Sequence, residues 1–385
     1  MAFLYFYKRE GFQLKRIVVK IGSSSLVDET GSLSSLKVDQ LVTQLTALHQ
    51  SQLQVILVTS GAVAAGVGAL GWNRSTLTMP EKQAAAAVGQ SVLIQHYQDS
   101  FAKQNIPVAQ LLLTRSDIED RKRFIHIRNT IEPLLHHGII PIINENDTVA
   151  VEEIRFGDND TLGALVSLVA SADLYVMLSD IDGLYTANPR IDKNAKLLRK
   201  INSITPDLWK IAGGNGSTIG TGGMKTKLQA AQIATQSGVN VRIANSSHPQ
   251  VLQHIITGCS IGTHFTADTP LKKKKPWIAY GTRAEGSVIV DTGAYLALTK
   301  GHSSLLLAGI TSAKGNFLEG SVVTIQHNEH IIGKGIVHLS KRDIDQLLRK
   351  RQEGEPLPLL PEVIHRDQLV LLPNHKGSVS TCSIS

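Results

Sequence analysis

Ile17-Val18-Val19-Lys20-Ile21-Gly22-Ser23-Ser24 is the stretch that decides the fold. Its apolar residues are consecutive rather than alternating, as in a strand buried on both faces of a sheet. The strand runs straight into a glycine–serine turn, with a lysine at its end. Such a loop offers an anion a point charge and backbone N–H groups. Similar apolar runs recur at 53–58, 108–113, 139–143, 174–178 and 239–243. Between the first two, Leu41, Leu45 and Leu48 recur at helical spacing. A second helix is predicted over 81–103, where the small run Ala84-Ala85-Ala86-Ala87 permits close packing. A third is predicted over 225–237, with Gly238 as a C-terminal stop. Repeated strand, helix, strand predicts an α/β fold, a mostly parallel sheet in an αβα sandwich. Ligands in such sheets bind beyond the carboxyl ends of the strands. Gly22, Ser60, Asn144, Asp180 and Asn245 each follow or end a strand, so they share one rim.

A second lysine closes a second glycine-rich loop, Gly220-Thr221-Gly222-Gly223-Met224-Lys225-Thr226-Lys227. Two such loops suit a ligand with several negative charges, such as a nucleoside triphosphate being cleaved. Neither loop is a P-loop, which needs Gly, four residues, Gly-Lys-Ser/Thr after the first strand. No Gly-x-Gly-x-x-Gly follows the first strand, so a dinucleotide site is also rejected.

Four further blocks lie between the lysines. Thr59-Ser60-Gly61-Ala62 opens a small-residue helix, which is either an anion site or tight packing. Asn144-Glu145-Asn146-Asp147 and Gly157-Asp158-Asn159-Asp160 crowd amides and carboxylates beside a buried strand. They face a cleft, where they grip an ammonium, orient lysines or hold magnesium, or they form an acidic turn. Ser179-Asp180-Ile181-Asp182-Gly183-Leu184-Tyr185 suits ribose and base contacts, or is an ordinary strand-end turn.

The 385 residues predict two domains, and their 42% hydrophobic content fits a soluble globular protein. No apolar run reaches the length of a membrane span. The first residues lack the basic start, apolar core and cleavage site of a signal peptide. With only Cys259 and Cys382, a disulfide framework is not expected and a reducing cytoplasm is the simple reading. No Cys/His cluster has zinc spacing. Composition changes after Asp268. Beyond the basic run Lys272-Lys273-Lys274-Lys275 and Pro276, short β-like runs are predicted at 287–290, 294–298, 304–307, 321–325, 330–332 and 336–339. One short helix is predicted near 344–351, and together these make a small β-barrel-like domain. The expected divisions are an extension 1–14, a catalytic domain 15–268, a linker 269–275, a second domain 276–372 and a tail 373–385. Residues 271–385 carry a net charge of +5 against +2 for residues 1–270. That excess fits an RNA-facing surface or a solvated linker.

In order, the blocks at 19–24, 59–62, 144–147, 157–160, 180–185 and 220–224 resemble the amino-acid kinase superfamily. Within it they look most like the glutamate 5-kinases. The region 276–355 is similar to a PUA domain, an RNA-binding module, through Ala308-Gly309-Ile310 and Gly333-Lys334-Gly335-Ile336. The resemblance implies ATP-dependent phosphorylation of the γ-carboxylate of L-glutamate, the first step of proline biosynthesis, with Mg2+ accompanying ATP. Carried over by position, Lys20 holds the ATP phosphates, and Ser60, Asp147 and Asn159 bind glutamate. Ser179 and Asp180 contact the nucleotide, and Thr221, Gly222, Gly223, Met224, Lys225, Thr226 and Lys227 wrap it. Ser179 stands where threonine is common, and Lys225 fills a variable place. Lys20 and Lys227 are expected to act in catalysis and Asp160 to orient them, with no direct protein ligand assigned to the metal. A homo-oligomer, proline as feedback inhibitor and no membrane partner are further expectations. A complex with the next-step reductase and RNA binding stay open. The alternatives are a sister kinase with another carboxylate or phosphate acceptor, and an RNA-binding protein with a vestigial kinase domain.

Overall fold

The structure, a computed structural model, describes residues 14–150, 159–189, 191–212, 223–267, 275–282, 284–301, 303–355 and 362–372. Gly157, Asp158, Thr221, Gly222, Cys382, most of the basic linker and the C-terminal tail lie outside them. By internal contacts the chain divides into Met1–Pro270 and Leu271–Ser385.

In the first unit the strands are β1 (Arg16–Ile21), β2 (Gln54–Val58), β3 (Val108–Leu113), β4 (Ile140–Glu145), β5 (Leu174–Ser179), β6 (Lys200–Ile201), β7 (Asn240–Asn245) and β8 (Thr263–Phe265). The helices are α1 (Ser35–Gln50), α2 (Ala62–Leu70), α3 (Met79–Ala102), α4 (Arg115–Glu119), α5 (Arg121–His136), α6 (Asn159–Val169), α7 (Pro206–Ala212), α8 (Met224–Gln236) and α9 (Val251–Ile256). The strands form one sheet in the order β3-β4-β2-β1-β5-β7-β8-β6. All neighbours are parallel except β7 and β8.

The uninterrupted apolar character of β1 has its cause here, because all six residues are buried. Ile17, Val19 and Ile21 face a core shared with α1, α3 and α9. Val18 faces the opposite core, built with α5, α6 and α8. Lys20 falls on that second face by strand alternation. Since β1, β2, β4, β5 and β7 are parallel, their carboxyl ends form one rim. Backbone bonds stitch its loops together, from Gly22 N–H to the Leu178 carbonyl (3.3 Å) and from Ser246 N–H to that of Ser179 (2.8 Å).

The alanine and glycine run in α3 is explained by a close helix crossing. A β-carbon at Gly66 of α2 would lie 1.8 Å from the Ala85 carbonyl oxygen, and one at Gly89 would lie 1.9 Å from that of Ala62. Only hydrogen fits at either place. The contact locks α2, which starts beside Ser60, against α3.

On the far part of the sheet His264 of β8 pairs across strands with Arg242 of β7 and Lys200 of β6. Burial, then the charges of Arg242 and Lys200, push its imidazole down to about 4 from 6.5. The unfolded chain takes up this proton at a higher pH than the folded one. This group's contribution to stability is therefore complete above about pH 6.5 and lost as pH falls toward about 4. Denaturant unfolding at about pH 7 and about pH 4.5 should show a larger acid loss in the wild type than in His264→Gln.

The second unit has the strands β9 (Gly286–Val290), β10 (Leu305–Leu306), β11 (Ile310–Gly315), β12 (Val322–His327), β13 (His330–Ile336), β14 (Glu362–Ile364) and β15 (Leu369–Leu371). Five of them make a sheet in the order β11-β9-β12-β13-β15. Its helices are α10 (Lys275–Tyr280), α11 (Thr292–Lys300) and α12 (Lys341–Gln352). The run 294–298, predicted as β-like, is helical. Asp291 accepts from the Ala294 N–H (2.7 Å), and this cap starts α11 where the apolar pattern alone suggested a strand.

Candidate active site

Two buried lysines meet on one buried carboxylate. Lys20, next to last in β1, places Nζ 2.7 Å from Oδ1 of Asp160. Lys227, in the first turn of α8, places Nζ 2.9 Å from Oδ2. Each lysine is 5% exposed and Asp160 only 1%, so the three charges share one poorly solvated place. Burial pushes the Asp160 carboxyl up, but the charges and hydrogen bonds of Lys20 and Lys227 outweigh it and hold it at about 2. Asp160 is the second residue of α6, where the helix dipole also favours an anion. The Tyr175 hydroxyl of β5 fixes that turn by donating to the Asp160 carbonyl (2.8 Å).

Local sequence explains how Lys227 arrives there. α8 begins after Gly223, and the Thr226 hydroxyl donates back to the Gly223 carbonyl (2.7 Å), tightening the first turn. Leu228, Ala230, Ala231 and Ala234 bury one side of α8 in the second core. Lys227, beside Leu228, is thereby turned inward, while Lys225 stays exposed.

A few atoms away is an amide cluster. Asn159 donates from Nδ2 to the Thr59 carbonyl (2.6 Å), the Ser60 hydroxyl (2.8 Å) and Oδ1 of Asn144 (2.9 Å). Gly61, at φ 106°, makes the left-handed turn that carries the chain from β2 through Ser60 into α2. The Thr59 hydroxyl shares a hydrogen bond of 2.9 Å with the buried Tyr97 hydroxyl of α3. Ser179 ends β5, buried, and its hydroxyl donates to exposed Asp180 (3.0 Å). Asp182 accepts from Asn245 and from Tyr185, each at 3.0 Å.

Of the residues predicted for the site, the fold brings Lys20, Asp160 and Lys227 into direct contact, and Asn159 with Ser60. Ser179 and Asp180 stand on the same rim, since Ile21 pairs with Leu178. Met224 is half-buried and Gly223 precedes it at the start of α8. Asp147 lies half-exposed in the turn after β4, two residues beyond the sheet. Thr221 and Gly222 are outside the described residues. Sequence reasoning missed Gln90, Tyr97 and Tyr175, which hold the site from behind. Nothing in their local sequence separates them from ordinary helix and strand residues.

The chain that carries this mostly parallel sheet and lysine–carboxylate–lysine bridge belongs to the amino-acid kinase family. The model of the Amino acid kinase family matches residues 15–245, and that of the PUA domain residues 286–353. Glutamate 5-kinase of Streptococcus suis is 46% identical over 93% of this chain and 99% of its own. Those of Caldanaerobacter subterraneus and Trichlorobacter lovleyi are each 45% identical, over 93% and 94% of this chain and 98% and 97% of their own. This chain belongs to the glutamate 5-kinase family. Likeness to solved structures is weaker: the UMP kinase of Bacillus anthracis has a TM-score of 0.45 at 16% identity, covering 67% of this chain and 98% of that one.

Proposed function

We propose that this protein transfers the γ-phosphoryl group of ATP to the γ-carboxylate of L-glutamate, giving L-glutamyl 5-phosphate and ADP. The observation that carries the reading is the Lys20–Asp160–Lys227 bridge at the strand rim. A side-chain carboxylate is already ionised at neutral pH, so its oxygen attacks the γ-phosphorus without a general base. The bond from that phosphorus to the bridging oxygen of ADP breaks in line, and ADP keeps the electron pair. The obstacle is that two anions must meet. What the chain supplies is alignment and positive charge. Lys20 and Lys227 take that role from two sides of the migrating group. Asp160 holds both ammoniums at that place through direct contacts of 2.7 and 2.9 Å.

In this reading Ser60, Asp147 and Asn159 hold glutamate, while Ser179, Asp180 and the loop from Thr221 to Lys227 hold the nucleotide. Among the described residues no group of three His, Cys, Asp or Glu is placed to cage a metal ion. In this reading a magnesium ion is carried on the ATP phosphates, as magnesium commonly is. When bound, it adds charge neutralisation there. A reducing cytoplasm, an oligomer built on the kinase unit, inhibition by proline and RNA at the PUA-like unit belong to the same reading. Among the described residues no helix is long and apolar enough to cross a membrane.

The test is ADP release with hydroxylamine trapping of the acyl phosphate. The acceptor panel is glutamate, N-acetylglutamate, aspartate, carbamate and UMP, each with and without proline. Glutamate-dependent hydroxamate is expected. Turnover confined to another acceptor would overturn the glutamate reading, and salt-dependent RNA binding without ATP turnover would favour a vestigial kinase domain.

A further inference from the structure

We propose that Gln90 of α3 is a positioning residue for the acceptor amino acid, acting through Asn144 on Asn159. The inference rests on the assignment of Asn159 to the acceptor pocket. Asn159 has two N–H bonds and three acceptors around Nδ2, namely the Thr59 carbonyl, the Ser60 hydroxyl and Asn144 Oδ1, at 2.6–2.9 Å. A flipped amide would set oxygen against the Thr59 carbonyl and Asn144 Oδ1, acceptor against acceptor. The amide NH2 is therefore engaged inside the protein, and Oδ1 is the atom Asn159 can offer a ligand. An oxygen there accepts from an ammonium group and disfavours a carboxylate.

That orientation depends on Asn144, which is 2% exposed. Its Oδ1 also accepts from the Glu145 N–H (2.9 Å), and its Nδ2 donates to Oε1 of Gln90 (2.8 Å). Without the Gln90 oxygen, Asn144 keeps a buried N–H with no acceptor from α3, a state that drives the amide to rearrange. Gln90 is well placed to prevent this. It follows Gly89, whose backbone contact with α2 fixes the distance between α3 and the Ser60 loop. The tight helix crossing and the amide relay thus form one device. α3 sets where Ser60 lies and, through Gln90, which way Asn159 reads the substrate.

The experiment compares Gln90→Met, which keeps length and removes the acceptor, with Gln90→Glu, which keeps an acceptor. Gln90→Lys, which puts a donor where the acceptor stood, serves as a second disruptive variant. The full chain is assayed for KM of glutamate and of ATP, for kcat, and for discrimination between glutamate and glutarate, which lacks the amine. Calorimetric binding of glutamate reads the same contact without turnover. We expect Gln90→Met and Gln90→Lys to raise KM and Kd for glutamate about tenfold or more, from the penalty of an unpaired buried donor. KM for ATP should stay within about twofold, and the preference for glutamate over glutarate should shrink. Gln90→Glu should bind glutamate within about threefold of wild type. Unchanged glutamate binding in both disruptive variants would overturn the proposal. So would equal rises in both KM values, or a Gln90→Glu variant as impaired as Gln90→Met. If the wild type prefers another acceptor of the panel, the kinetic comparison is made on that acceptor. A wrong substrate and a wrong relay then give different patterns.

Discussion

Lys227→Ala is expected to lower kcat by about a hundred- to thousandfold, the usual loss when one preorganised charge is removed from a transition state. Lys20→Ala should do the same. Both ammoniums lie within 3 Å of Asp160, which gives them a common position to act from. Their effect is electrostatic, so KM for glutamate should change far less than kcat. Folding should survive, because Asp160 keeps one cation when either lysine is removed. Arginine is not expected to rescue at either place, since its planar fork cannot occupy the point position of a buried ammonium. Steady-state rates with a thermal melt of each variant check this. Near-normal turnover in either folded variant would remove that lysine from the mechanism.

Asp160→Ala is expected to damage stability as well as rate. It leaves two nearly unexposed ammoniums without their shared countercharge, and breaking a buried pair in this way typically costs about 3–5 kcal/mol. The lysines would then swing apart, and kcat should fall at least as far as in the single lysine variants. A triple variant, Lys20→Met with Asp160→Ala and Lys227→Met, should recover much of the lost stability and none of the activity. That split separates charge from packing. If the triple variant is as unstable as Asp160→Ala alone, the bridge matters for shape and not for charge. The carboxyl also has a pH signature. Its folded pKa is depressed from 3.8 to about 2. Its contribution is therefore present above about pH 4 and lost as pH falls toward 2. The acid limb of the wild-type stability curve should be steeper than that of Asp160→Asn over this interval.

Much of the fold was legible because it obeys local rules. A strand with no polar alternation has to be buried on both faces, which already implied parallel neighbours and helices on each side. The rim followed from that, and so did the positions of Gly22, Ser60, Asn144, Asp180 and Asn245 along it. The C-terminal part was read less well. The run 294–298 has the composition of a strand, and a cap at Asp291 made it a helix. Hydrogen bonding by a single side chain outweighs a weak apolar pattern over so short a stretch. Gln90 and Tyr97 were not legible at all. Their partners Asn144 and Thr59 are 54 and 38 residues away, and no periodicity connects them.

The chain on its own determined its class of fold and which residue types stand at the strand ends, because burial and turn chemistry act between near neighbours. Only the tertiary structure decided that Lys20 and Lys227 share the two oxygens of Asp160, and that α3 holds the amides from behind. Those contacts depend on how helices cross and on where two distant turns end in space. Both are set by packing, where a single β-carbon at Gly66 or Gly89 would already be too much.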